Sequence, residues 1–297
     1  RSVVRVDVGN LVELKFDFDQ VLIRDSVKWV PKSWLTLRTG LDIELSWADI
    51  YAYGSGGPPQ EGEPRQSGGF REAEVNDQQY FSPSFAWWGE GQVKLGPVLL
   101  VPGLRIERVA YSDVWTLQPR PAARYEVFRD LVLKAGLGIY YEAGDLYAQS
   151  ETFGNPDLKP VRSRQASFGF EYQFTDVIEL DVTGFFKTFD DLIAPSTDPN
   201  EPFNNGAIGR AYGAEFLLRH NPSRRFFGWV AYTLQRSERR DSADQPWRLF
   251  DVDQTHNIIL IGQYKLTTTL TFGARWRYVT GTPTTPVTGA VYDADAD

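Results

Sequence analysis

Period-two alternation of apolar and polar side chains runs through most of the chain, and it leaves little choice of secondary structure. From Leu35 the odd positions read Leu35, Leu37, Thr39, Leu41, Ile43, Leu45 and Trp47, against Thr36, Arg38, Gly40, Asp42, Glu44 and Ser46. The pattern returns at Leu117, Pro119, Pro121, Ala123, Tyr125 and Val127, and at Leu131, Leu133, Ala135, Leu137, Ile139 and Tyr141. It recurs at Ala166, Phe168, Phe170, Tyr172 and Phe174, and at Leu270, Phe272, Ala274, Trp276 and Tyr278. None of these apolar faces holds a charge, whereas the opposite faces carry Arg38, Asp42, Glu44, Arg120, Arg124, Glu126, Lys134, Glu171, Arg275 and Arg277. Only a strand, whose successive side chains point to opposite sides, converts such a sequence into one greasy face and one polar face.

An uncharged face suits a soluble sandwich as well as a membrane wall. Strand length separates them. Residues 268–280 hold no turn residue beyond Gly273, and that run at ~3.3 Å per residue reaches about 43 Å. Soluble strands usually stop at ~5–6 residues. Loop rhythm points the same way. Tight connections are expected at residues 95–97, 128–130, 174–176, 220–223 and 265–267, with long polar ones at about 48–80, 142–160, 190–206 and 237–253. Short turns on one side and long loops on the other are the layout of outer-membrane barrels. The short 109–114 connection is the one exception.

Lipid-facing Arg or Lys near the midplane costs ~2–4 kcal/mol, so the charged faces must line the lumen. Leu41, Ile43, Leu45, Phe168, Phe170, Phe272, Ala274 and Trp276 are therefore expected on the convex side, with Arg38, Arg124, Glu171 and Arg275 on the concave side. Aromatics cluster near strand ends (Trp47 and Tyr51; Phe85, Trp87 and Trp88; Tyr140 and Tyr141; Phe226, Phe227 and Trp229), as in interfacial girdles. The fold class is thus all-β: an antiparallel up-and-down transmembrane barrel, here a partial, open, curved sheet of about 12 strands with meander connectivity.

Composition narrows the function. With 31 basic and 39 acidic residues, a net charge of -8, nucleic-acid binding is not expected. No apolar run approaches the ~18 residues of a membrane helix. The absence of Cys excludes thiolate metal sites and a Cys nucleophile. No Met occurs where usual frequencies give about six, and the chain runs from Arg1-Ser2-Val3 to Asp293-Ala294-Asp295-Ala296-Asp297; a fragment is expected.

Catalytic and metal signals are sparse. His220 lies in a tight turn and His256 follows a long loop, so a barrel puts them on opposite rims. His256 with Asp251 and Asp253 is the one hydrolase-like set; the plainer account is a solvated loop end. Gly54-Ser55-Gly56-Gly57 is a flexible loop rather than a nucleophile elbow. Asp293, Asp295 and Asp297 match half of a calcium loop, without its Gly and distal Glu. No cofactor and no catalytic residue are expected.

Three stretches carry a family resemblance. Asn155-Pro156-Asp157-Leu158-Lys159-Pro160 is similar to the N-P-x-L-K-P-E loop of TonB-dependent outer-membrane receptors, with Val161 in place of the usual Glu. Gly213-Ala214-Glu215 resembles their G-x-E strand. Asp253 to Asn257, running on to Gly281-Thr282-Pro283, looks like their D-x-x-H strand start and the S-G-x-P that follows. The resemblance implies a 22-stranded plugged barrel in the bacterial outer membrane, with residues 1–297 forming part of its barrel domain and the plug and closing strands missing. It implies import of a scarce bulky solute (siderophore-iron, a cobalamin-like cofactor or an oligosaccharide) without covalent chemistry. The implied partners are the outer-membrane bilayer, an extracellular small or oligomeric ligand, and a periplasmic TonB-type protein reached through the missing N-terminal part. Loop aromatics Tyr51, Tyr53, Tyr80, Tyr147, Phe203 and Trp247 are the candidates to stack on such a ligand; packing within their own loops is the plainer role. A passive porin or adhesin barrel, and a soluble carbohydrate-binding β protein, are the alternatives.

Overall fold

The structure, a computed structural model, describes residues 2–8, 12–54, 74–110, 112–145, 148–149, 154–196 and 201–284. Sixteen strands form one antiparallel sheet, and the described residues contain no helix. The first eight are β1 (Ser2–Val8), β2 (Val12–Lys32), β3 (Leu35–Gly54), β4 (Glu74–Leu95), β5 (Val98–Val101), β6 (Gly103–Arg108), β7 (Trp115–Pro119) and β8 (Ala122–Phe128). The rest are β9 (Leu131–Glu142), β10 (Val161–Gln173), β11 (Ile178–Pro195), β12 (Phe203–His220), β13 (Phe226–Arg240), β14 (Arg248–Leu249), β15 (His256–Lys265) and β16 (Thr271–Val279).

With β5/β6 and β7/β8 each read as one interrupted strand, sequence neighbours are sheet neighbours along the wall, so the connectivity is a meander. Two of the wall strands are broken. β4 pairs with both β5 and β6, and those two pair in turn with β8 and β7. The breaks fall at Pro102 and at Arg120-Pro121, where a proline has no N–H to give to a ladder. The carbonyls still serve: Gly91 N donates to Pro102 O at 2.9 Å and Leu137 N to Pro121 O at 3.0 Å. Among the described residues, counting each broken strand once and setting aside the two-residue β14, the wall has thirteen strands, against about 12 expected.

Turns at one rim are short: residues 33–34, 96–97, 129–130, 174–177, 221–225 and 266–270. Gly96, at φ 60 and followed by Pro97, suits the first central position of a II′ hairpin turn. At the other rim the connections span residues 55–73, 143–160, 196–202 and 241–255, with 9–11 and 109–114 as short ones. Several boundaries differ from the alternation pattern. β3 and β4 stay paired from Ala48↔Tyr80 out to Gly54↔Glu74, so much of the polar stretch at 48–80 is ladder rather than loop. The last strand begins at Thr271 rather than 268. There the Thr267 hydroxyl accepts from the Leu270 N–H at 2.9 Å, a local turn that overrides the β preference of three consecutive threonines.

Ladder register assigns the faces. Leu35, Val93, Leu100, Ala123, Ala135, Phe168, Gly184, Ala214, Leu234 and His256 are partners in one row across the sheet, and so share a face. Leu41, Ile43, Leu45, Phe170, Phe272, Ala274 and Trp276 stand on that same face, and Arg38, Arg124, Glu171 and Arg275 on the other. Phe168 and Phe272 are 63% exposed, Leu41 53% and Trp276 51%. Among the described residues no second sheet covers them. A sandwich, which buries the apolar faces of two sheets against each other, is excluded. Ion pairs on the charged face reach over intervening strands, as Lys134 of β9 does to Asp181 of β11 at 2.5 Å. An inward-curving face shortens such reaches, so the charged face is the inner one.

Candidate functional site

Charged side chains on the inner face form two linked groups. In the first, Arg105 binds Asp42 at 2.6 Å and Glu107 at 2.9 Å, and the fully buried Gln118 donates to Glu107 at 2.9 Å. Arg120 donates to Gln118 Oε1 at 2.5 Å and continues the chain. In the second group Glu171 takes Arg124 at 2.5 Å and Lys134 at 3.7 Å. Each pair is partly wet and worth ~0–1 kcal/mol alone. Their consequence is geometric, since they tie every second strand together and hold the curve.

Above the second group lies a shallow cup of about 170 Å³. Its floor is Gly136, Gly138, Gln165 and Ser167, and its walls are Arg120, Tyr140, Phe185 and Lys187. The Arg120 guanidinium sits 4.5 Å from the Tyr140 ring centroid and the Lys187 ammonium 5.3 Å from that of Phe185. Neither cation has a carboxylate within ion-pair reach among the described residues, and Arg120 Nε is buried without an acceptor. Two cations over aromatic faces form an inward-facing spot suited to an anionic or aromatic group.

At the long-loop rim the family-like motifs act as fasteners. Asn155 Nδ2 donates to Phe203 O at 3.0 Å, while Asn155 Oδ1 accepts from the Asp157 N–H at 2.9 Å, an Asx turn. Asn205 completes the clamp: its Oδ1 accepts from Lys159 N at 2.7 Å, and its Nδ2 donates to the carbonyls of Lys159 and Asp191. Leu158 (3% exposed) then packs with Ala148, Phe203 and Ile193. Pro156 is exposed and Pro160 buried. The spacing of the motif pointed to this loop; nothing in it pointed to Asn205. Asp253 accepts from Ser237 N at 2.7 Å and Thr255 Oγ1 at 3.1 Å, pinning the start of β15. His256 Nδ1 lies 3.0 Å from Tyr232 Oη rather than on a carboxylate, and Asp251 binds Arg248 at 2.8 Å. The hydrolase-like set is not assembled. His220 stands at the short-turn end of β12, at the opposite rim from His256. Gly213 is needed because a Cβ there would lie 2.2 Å from Leu234 O. Glu215, two residues on, is an exposed inner-face carboxylate.

The loop aromatics do not converge. Phe203 is in the small loop core, 5% exposed. Trp247 lies between the guanidinium groups of Arg210 and Arg240, at 4.3 and 5.1 Å. Tyr80 is on the inner face, paired with Ala48, and Tyr51 on the opposite parity. Tyr53 belongs to β3, but its side chain, like Tyr147, Asp293, Asp295 and Asp297, lies outside the described residues. Among the described residues no cluster of three or more His, Cys, Asp or Glu is placed to hold a metal.

The sequence profile of the TonB-dependent receptor-like β-barrel matches residues 8–297. Among curated protein sequences, none matches this chain. Solved structures do. The ferric enterobactin receptor from Pseudomonas aeruginosa, in complex with enterobactin, aligns with TM-score 0.65 at 15% identity, over 89% of this chain and 41% of that one. The FrpB iron transporter from Neisseria meningitidis aligns with TM-score 0.67 at 13% identity, over 90% and 44%. The copper transporter OprC aligns with TM-score 0.63 at 15% identity, over 90% and 44%. At such identities the likeness is one of fold, and the chain spans less than half the length of each.

Proposed function

The chain belongs to the TonB-dependent receptor-like β-barrel family, and on that premise we propose that the whole protein imports a scarce, bulky solute across the bacterial outer membrane by TonB-dependent active transport. The observation that carries the reading is the division of one continuous wall into a charged, cross-braced inner face and a bare apolar outer face. A metal chelate of the siderophore kind is the favoured solute, because the structural neighbours include a ferric enterobactin receptor, an iron transporter and a copper transporter. Cobalamin-like and oligosaccharide solutes are the other members of the class. The described residues of 1–297 supply thirteen wall strands of a larger barrel, whose plug and closing strands belong to the rest of the protein.

Solute binds at the long-loop rim, where Tyr80 on the inner face and Tyr147 are the aromatics offered to it; Tyr51 stands on the outer parity, and Phe203 and Trp247 contribute by fastening loops. The Arg120–Tyr140–Phe185–Lys187 cup then lines the inward path. A periplasmic TonB-type partner supplies the energy, and no bond is made or broken in the solute. The test is uptake of labelled iron chelates by cells whose only such receptor is the full-length protein. Uptake that vanishes when TonB is deleted supports the reading. Energy-independent conductance to small solutes favours a passive porin instead.

A further inference from the structure

We propose that the wall at the junction of β7, β8 and β9 holds a through-wall site for a water-borne acylated anion, its head in the inner cup and its alkyl tail leaving through the wall into hydrocarbon. The backbone is open at this place. The β8–β9 ladder ends at Ala122↔Gly136, with one further bond from Leu137 N to Pro121 O. Beyond it β7 and β9 run side by side, yet among the described residues β7 pairs with β6 alone. The N–H and C=O of successive strand residues point to alternate sides. Arg120 N donates to Gly103 O on the β6 side at 2.8 Å, so positions 119 and 121 turn toward β9. Both are prolines, with no N–H to give.

Two hollows meet back to back here. The cup walled by Arg120, Tyr140, Phe185 and Lys187 is on the inner side. On the outer side an apolar hollow of about 380 Å³ lies among Val93, Leu100, Ala123, Ala135 and Leu137, all of outward parity. Pro121, Ala122, Gly136 and Leu137 line both. Charge selects the head. Glu107, the carboxylate linked to Arg120 through Gln118, is taken by Arg105 at 2.9 Å. Glu142, the next inner residue of β9 after Tyr140, lies toward the rim and among the described residues pairs with neither cation. An anionic head therefore supplies the charge that Arg120 and Lys187 lack. Depth selects its source. Gly136 and Gly138 fall near the middle of β9, and so near the middle of an apolar band that takes ~11 residues to cross. A bilayer lipid would have to drag its charged headgroup through hydrocarbon to reach that depth, whereas a solute in the lumen meets the cup directly. Its tail, unfavourable in the watery lumen, gains by passing to the outer hollow. The site requires the membrane wall and not TonB-driven transport.

The test uses full-length protein in phosphatidylcholine nanodiscs, with a fluorophore on Phe168→Cys, at the outward partner of Ala135. The probes are ω-bromododecanoate, at a pH where it is ionised, and ω-bromododecanol; they differ only at the head, and the bromine reports arrival of the tail by quenching. The expected result is half-maximal quenching by the carboxylate at an approximately tenfold lower concentration than by the alcohol. That preference is lost in Lys187→Gln and kept in Lys187→Arg. It is lost too in A123F/A135F, which fills the outer hollow and leaves the cup intact. Quenching by the alcohol, which reaches the label through the bilayer, stays the same in every variant, and unchanged heat-modifiable gel mobility certifies the barrel. Equal quenching by the two probes removes the anionic head site. A preference that survives in A123F/A135F removes the passage through the wall. Either result overturns the proposal whether or not the protein transports a solute.

Discussion

On β10 the outer and inner faces obey opposite rules one residue apart. Phe168 is 63% exposed with none of the described residues over it, while its neighbour Gly169 is buried, with no room for a Cβ, which would lie 2.2 Å from Val182 O. Glu171 holds two cations on the same inner face, and the outward Phe170 and Tyr172 hold none. In a water-soluble sheet the apolar face is the one covered and the charged face the one left open. Here the arrangement is inverted, which teaches that the outer face has hydrocarbon for a solvent and the inner face has water and polar groups.

The largest effect that breaks this contrast is a charge on the outer face. Phe168→Arg, near mid-band, is expected to cost ~2–4 kcal/mol, whereas Ser167→Arg on the inner face should cost under ~1 kcal/mol; urea unfolding of the refolded full-length protein in lipid reads both. Next come the close approaches. Gly169→Ala and Gly213→Ala each set a Cβ against a backbone carbonyl that only a strand shift can relieve, at ~1–3 kcal/mol. Asn205→Ala removes a clamp rather than a wall contact. It should open the 155–160 loop to protease while leaving global unfolding within about 1–2 kcal/mol of wild type. Smallest is Glu171→Gln, whose loss of the Arg124 and Lys134 pairs is worth ~0–1 kcal/mol and fades as salt rises; a loss above that range would make the inner network more than a brace.

How much of this was legible differs by level. Alternation alone assigned the faces of Leu41, Phe168, Glu171 and Arg275, because side-chain parity holds along each regular ladder and even across the break at Pro121, and flips only at bulges such as the one between Phe189 and Leu192. Strand ends were less legible: Thr267 to Thr269 look like strand until a hydroxyl turns back on the backbone. The roles of Phe203 and Trp247 needed partners distant in sequence, Asn155 and Leu158 for the one and Arg210 and Arg240 for the other. The outward parity of Arg162 and Arg164 was there to be read. It continues that of Ala166 and Phe168 past the last apolar residue.

The central claim is tested most directly by accessibility along β10. The chain has no cysteine, so single cysteines can be placed in turn from Gln165 to Tyr172 in the full-length protein, labelled with a fluorophore and challenged with a lipid-soluble and a water-soluble quencher. The account predicts strict alternation: positions 166, 168, 170 and 172 quenched from the lipid, and 165, 167, 169 and 171 from the aqueous side. Aqueous quenching at all eight positions, or alternation in the opposite phase, would contradict it.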